Sequence, residues 1–317
     1  MRHFAALSTN DIGRAGTSGC SLEEGLRDTM TNVPVSHCRM AHPTTPDSIE
    51  IRPNSGLFDL ELDTVWRYRE LLVVLTLRDI QVVYKQAALG IAWAIIQPVF
   101  AVAIFSVIFG HFAGMPSEGI PYPVFAFAAV LPWTYFAEAV RRSATGLVSD
   151  AELVRKVYFP RLIIPLACVI APLLDFLIAF IVLFGVMIWF GVMPSWRLLA
   201  VPPLLAIAAM LALAVGLWLG PINVRFRDVK HTLPFMLQIW MFATPVVYPV
   251  TIIPTQWKWL FSLNPMVGVI EGFRWSVFGK GDLNSVSLGI SLAAIGLFLI
   301  GGLIFFKRME RSFADLI

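Results

Sequence analysis

The chain has 317 residues, of which 57% are apolar and only 14% charged, with a formal net charge of +3 and a mean hydropathy of +0.75. Ordinary soluble domains carry about 25% charged residues, so this chain cannot cover a water-facing surface and lipid must be the solvent for much of it. So small a net charge also argues against a nucleic-acid partner.

Residues 1–56 are rich in Ser, Thr, Pro and charge and hold no long apolar run. That is the composition of a disordered cytoplasmic extension. No apolar segment follows Met1, so no signal peptide is expected. Residues 57–317 read as one membrane domain. Its first element is a helix over 62–86. Trp66, Val73, Leu77, Ile80 and Tyr84 recur at three-, four- and seven-residue spacing, and Arg67, Arg69, Arg78 and Lys85 supply charge. This pattern predicts an amphipathic helix lying in the membrane interface.

A helix needs about 20 apolar residues to cross the roughly 30 Å hydrocarbon core. About six windows qualify: 89–110, 121–141, 162–190, 198–220, 232–250 and 286–306. The second contains Thr134 and Glu138, and the fifth is interrupted by Pro245 and Pro249. The fold class is therefore an all-α polytopic membrane protein. Lys and Arg gather in alternate connectors. Arg141, Arg142, Arg155, Lys156 and Arg161 lie between spans two and three, and Arg225, Arg227 and Lys230 between spans four and five. Lys307, Arg308 and Arg311 follow span six, while 111–120 has neither residue type. The positive-inside rule then places both termini in the cytoplasm.

Two segments outside the spans carry pattern. Ser149 with Glu152 makes a capping box, which predicts a helix over 149–160 that stops at Pro160. Leu153, Val154, Val157 and Tyr158 form its apolar stripe, flanked by Arg155 and Lys156. This suits either a membrane-surface helix or a coupling helix pressed into a cytosolic partner. On the outer side, 254–279 predicts two short helices. Asn264-Pro265 is a helix start, with Asn as cap and Pro in the first turn. A helix over 266–278 is about 20 Å long, too short to cross. Trp257 and Trp259 suit the interface, and Glu271 and Arg274 are the polar members. The pair reads as a re-entrant gate or as plain interfacial helices.

Asp175 falls inside the third span, where a carboxylate costs about 2.5–3.5 kcal/mol on insertion scales. It must face protein or water, and packing is favoured over a proton relay because no basic partner is evident within the spans. Aromatic residues are plentiful. Trp93, Phe100, Phe105, Tyr135, Trp240 and Tyr248 are pore-lining candidates, because flat apolar rings stack on sugar C–H faces without gripping hydroxyls. An interface belt and core explain the same residues. Cys20, Cys38 and Cys168 show no metal-ligand spacing. The sequence contains no G-x-x-x-x-G-K-[ST] and no H-E-x-x-H, so no nucleotide loop, metal site or catalytic residue is expected.

Five segments together carry a family resemblance: LRDIQVVYKQAALGIAWAIIQPV (Leu77–Val99), LVSDAELVRKVYFPRLIIPL (Leu147–Leu166), NVRFRDVKH (Asn223–His231), ATPVVYP (Ala243–Pro249) and LNPMVGVIEGFRW (Leu263–Trp275). In order and spacing they resemble the ABC-2 type permeases that export O-antigen, capsular polysaccharide and teichoic acid. The resemblance implies a homodimer in the bacterial inner membrane, driven by two copies of a separate ABC ATPase that binds ATP and Mg. It implies that 149–160 is the coupling helix, with Ser149, Glu152, Leu153, Arg155, Lys156, Tyr158 and Phe159 at the ATPase. It also implies that 254–279 forms the outer gate and that the cargo is a lipid-linked glycan. By position, Arg78, Tyr84 and Lys85 are candidates to meet the lipid's diphosphate. The alternatives are an ABC-2 permease for a small lipid or drug, and a membrane acyltransferase. The absence of paired catalytic groups within the spans counts against the latter.

Overall fold

The computed structural model describes residues 66–85, 92–279 and 285–316. The expected N-terminal extension, the first residues of the interface helix and the start of the first span lie outside the described residues. Among the described residues every regular element is helical. Helix α1 is Arg69–Lys85. Helix α2, Ala92–Phe105, runs on as wider π-helical turns over Ser106–Phe112. Helix α3 is Tyr122–Ser149, and α4 is the short Ala151–Lys156. Helices α5, Ile163–Ile170, and α6, Leu173–Trp189, are separated at Pro172, which has no N–H to continue the ladder. A 3-10 turn at Trp196–Ala200 leads into α7, Val201–Arg225. Then come α8, Val229–Phe242, α9, Lys258–Ser262, α10, Pro265–Phe278, and α11, Ser285–Leu316.

Five of these segments are long and apolar enough to cross a bilayer: Ala92–Phe112, Tyr122–Ser149, Ile163–Trp189, Trp196–Arg225 and Leu288–Glu310. The window at 232–250 behaves differently from expectation. Helix α8 has 14 residues, about 21 Å at 1.5 Å per residue, and the chain then leaves the helix at Ala243. Pro245 and Pro249 lack the donors that a continued helix needs, so 243–253 runs as turns and a single 3-10 turn.

Helix α3 is the centre of the bundle and touches α2, α5, α6, α7, α8 and α10. Its residues from Val124 to Leu131 are almost sealed from solvent. The closest pairing is α3 on α7, made possible by small residues. A Cβ added at Gly216 would lie 2.0 Å from the Ser143 Oγ and 2.5 Å from its Cβ. Helix α7 is backed in turn by α11, where Gly302 lets the chain approach the Ala214 carbonyl. A second apolar cluster sits at the α4 end of the bundle. It joins Leu75 of α1, Leu147 of α3, Phe159, Ile163 and Ile164, Leu217 and Val224 of α7, and Phe306 of α11.

Overpacking a sealed contact costs about 1–3 kcal/mol. Gly216→Ala is therefore expected to lower the melting temperature of the detergent-extracted protein, and Ser143→Gly in the same chain to restore most of it. Fluorescence-detected thermal unfolding of the three variants checks this.

Candidate functional site

The α4 segment is built differently from its sequence signature. Ser149 is the last residue of α3, and its hydroxyl bonds back to the Thr145 carbonyl. The capping box therefore does not form: α3 has already claimed Ser149, and the chain turns at Asp150 before α4 begins. Helix α4 also ends at Lys156, four residues short of Pro160, because Val157 is extended. Its surface is sharply divided. Glu152, Arg155 and Lys156 are exposed, and Tyr158 is 75% exposed. Phe159 is 5% exposed and packs inward beside Ile163 and Phe306, while Leu153 leans on the same cluster. The Lys156–Glu152 pair, 2.9 Å apart, lies in the open and contributes no more than about 0.5 kcal/mol.

Helix α1 has two faces. Leu71, Leu72 and Leu75 pack on the α4-end cluster, while Trp66, Val73 and Leu77 of the expected apolar stripe are exposed. Its polar residues make two ties to the bundle. The Arg78 guanidinium donates from Nη2 to Asp150 at 2.8 Å, and from Nε and Nη2 to Asp79 at 3.1 and 2.8 Å. Burial weighs against the Arg78 charge, yet the hydrogen bonds and charges of Asp150 and Asp79 outweigh it and raise the pKa above its ordinary value. The Tyr84 hydroxyl donates to Asp175. Burial first, and the Asp175 carboxylate second, push that phenol's pKa upward.

Asp175 has a basic neighbour after all. Arg142 Nη2 stands 3.7 Å from its Oδ2, and Arg142 Nε is held by Glu138 at 2.6 Å. Glu138 also takes Arg141 at 2.6 Å. The sequence assigned both arginines to a connector, but they lie on α3, one turn beyond Glu138. Lys85 is exposed and donates to Gln81 at 3.1 Å.

At the other end, Asn264 caps α10 as expected: its Oδ1 accepts from the Met266 N–H at 3.2 Å, and Pro265 follows at the first helical position. The same Oδ1 accepts from Trp240 Nε1 at 3.1 Å, and Nδ2 donates to the Thr244 hydroxyl at 2.9 Å. The cap therefore also stitches the end of α8 to the start of α10. Arg274 is buried. It donates to the carbonyls of Val246 at 2.7 Å and Tyr248 at 3.3 Å, with its guanidinium 3.8 Å above the Phe125 ring. Glu271 on the same helix is half-buried, and Trp257 and Trp259 are exposed. Gly279 closes α10 in the left-handed region at φ 66°, where a side chain is disfavoured.

The aromatic candidates divide between surface and interior. Trp93 and Phe100 on α2 are 53% and 63% exposed, and Phe105 is half-buried against Phe109. Tyr135 is enclosed in the core, with its hydroxyl donated to the Val169 carbonyl. It faces no open surface of the subunit, because α5 and α6 cover it. Trp240 packs edge-on against Trp133 and Phe136, and Tyr248 donates to the Phe242 carbonyl. Beside α8 an apolar cavity of about 550 Å³ is walled by Val215, Trp218, Leu233, Leu237, Trp240 and Phe298.

The model of the ABC-2 type transporter family matches residues 70–278. The chain belongs to the ABC-2 type transporters. Among curated relatives, the O-antigen export system permease protein RfbA of Klebsiella pneumoniae is 28% identical over 273 residues, 85% of this chain and 100% of that protein. The RfbA of Myxococcus xanthus is 29% identical over 255 residues, 79% of this chain and 96% of that protein. The polysialic acid transport protein KpsM of Escherichia coli is 28% identical over 248 residues, covering 75% and 93%. This ABC-2 chain is thus a multi-pass membrane permease subunit, of a family whose members work with an ABC ATPase.

Several residues of the two polar clusters escaped the sequence reading. Asp150 was hidden because Ser149 fitted a cap, and Thr244 because nothing marked it as polar structure. The Glu138 and Arg142 pair carried a signal in its i, i+4 spacing. Hydrogen bonds to a charged group contribute about 1.5–3 kcal/mol each. Arg274→Ala should therefore lower the melting temperature and open 243–253 to protease. Arg274→Lys should rescue little of this, because one ammonium lacks the planar fork that serves two carbonyls and a ring. Thermal unfolding and limited proteolysis with mapped cleavage check both.

Proposed function

We propose that this permease is the channel-forming subunit of an ATP-driven exporter that moves lipid-linked polysaccharide, of O-antigen, capsule or teichoic-acid type, across the bacterial inner membrane. It acts as a homodimer with two copies of an ABC ATPase, and both termini and the α4 end face the cytosol. The observation that carries this reading is coverage: the O-antigen and polysialic acid permeases match nearly all of their own length, whereas the transport permease YadH of Escherichia coli matches over 85 residues, 27% of this chain.

The geometry supports the division of labour. Helix α4 with Tyr158 offers a small charged and aromatic projection for a groove on the ATPase, anchored by Phe159. Helix α2 exposes Trp93, Phe100, Ile104 and Phe112, and α8 exposes Phe235, Ile239 and Phe242. These faces suit contact with a second copy across a sugar-tolerant passage. Helices α9 and α10, tied to the end of α8, are placed to act as the outer gate. Of the three residues expected at the lipid diphosphate, Lys85 keeps an exposed ammonium, whereas Arg78 and Tyr84 commit polar atoms to contacts inside the subunit.

Deletion of the gene should leave a lipid-linked glycan accumulating on the cytoplasmic face, detected by extraction and glycan blotting; a strain with unchanged lipid-linked glycan would overturn the cargo. Tyr158→Ala should reduce co-purification of the ATPase severalfold without lowering the amount of permease in the membrane. Cysteines placed at Arg155 and Arg227 should both react with an impermeant maleimide only in inside-out vesicles. Labelling on opposite sides would remove the topology on which the export reading stands.

A further inference from the structure

Helix α1 is tied to the bundle by polar contacts at two points that lie on different elements. Arg78 reaches the hinge between α3 and α4, at Asp150. Tyr84 reaches Asp175 at the base of α6, which is also met by Arg142 of α3. The two side chains are six residues apart, about 9 Å along the helix, so α1 cannot roll without breaking one of them. One turn before Arg78, Leu75 is buried in the cluster that holds Phe159 just after α4. Helix α4 itself is held lightly: Leu153 and Val154 lean on that cluster, the Asp150 side chain turns to Arg78 and caps no α4 N–H, and Glu152, Arg155 and Lys156 are exposed.

We propose that Arg78 and Tyr84 are positioning residues of the transport cycle: together they convert displacement of α4 into movement of α1. On this reading, which rests on the proposed ATPase-driven export, Arg78 carries the motion of the α4 hinge into α1, and Tyr84 sets the pivot through Asp175. Their role is to hold these two contacts and not to bind the lipid's diphosphate. The Arg78 pair is half-exposed, with side chains 40% and 17% accessible, so it adds little to folding. Its loss should therefore affect coupling and leave assembly intact.

The test uses the full permease–ATPase complex. Arg78→Asp and Asp150→Arg are made singly and together, with Tyr84→Phe as a variant that removes one hydroxyl. Export of lipid-linked glycan and co-purification of the ATPase are measured for each. Maleimide labelling of Gln81→Cys is compared in nucleotide-free and vanadate-trapped complexes, over the labelling of complexes lacking that cysteine. Each charge reversal should keep the ATPase bound, cut export at least fivefold and abolish the nucleotide-dependent change at position 81. The exchanged pair should recover at least half of wild-type export and the labelling change. Tyr84→Phe should cut export at least threefold with assembly intact.

An exchanged pair no better than the weaker single, or a Tyr84→Phe that exports normally, would overturn the proposal. So would single reversals that keep the labelling change. A wild-type complex that shows the labelling change but exports no glycan would sink the cargo reading and leave the linkage standing.

Discussion

Hydrocarbon supplies no hydrogen-bond partner, so a backbone that leaves the helix at membrane depth must find its partners inside the protein. This constraint bears on the end of the subunit where α8 gives way to α9 and α10. Helix α8 stops at Phe242, and three consecutive carbonyls beyond it, those of Val246, Val247 and Tyr248, are taken up by side chains. Tyr122 donates to the Val247 carbonyl at 2.6 Å, and Arg274 serves Val246 and Tyr248. Asn264 donates from Nδ2 to the Thr244 hydroxyl, which donates in turn to the Trp240 carbonyl. A buried guanidinium is an expensive donor, but two carbonyls and the face of Phe125 surround it. The irregular stretch thereby finds partners for several of its carbonyls while keeping a path different from a helix.

The opposite end follows a different logic. There the polar groups are partly wet and the ion pairs individually weak, so they set geometry more than stability. Apolar packing of α1, Phe159 and Phe306 into one cluster supplies the holding force. The charged ties choose which orientation of α1 is held. A short helix whose cap residue is tied to α1, bordered by an exposed tyrosine and a buried phenylalanine, is suited to be pushed as a unit.

Much of this was legible in the residues. Apolar windows gave the spans, because in lipid the composition of a stretch nearly decides its place. Asn264-Pro265 gave the start of α10, because the cap is a local motif that needs no tertiary help. Reading failed where a residue had two local options. Ser149 could cap the next helix or end the last one, and the continuity of α3 decided it. Window 232–250 was mostly apolar, yet Pro245 and Pro249 outweighed hydropathy. Asp175 found Arg142 only because α3 and α6 cross, and no spacing along the chain records a crossing. Tyr135 shared the composition of a lining residue with Trp93, and only the surrounding helices separate the two.

Helix α3 is a single rod of 28 residues, about 42 Å from end to end. Its first residue holds the turn at Val247, and the residue after its last meets Arg78. Each helical residue advances the rod by about 1.5 Å and rotates it by about 100°. One alanine inserted midway would leave every side chain chemically intact and still swing Asp150 to another side of the bundle relative to Tyr122. The number of residues in α3 is thus as firmly dictated as their identity: it sets the phase between the two halves of the subunit.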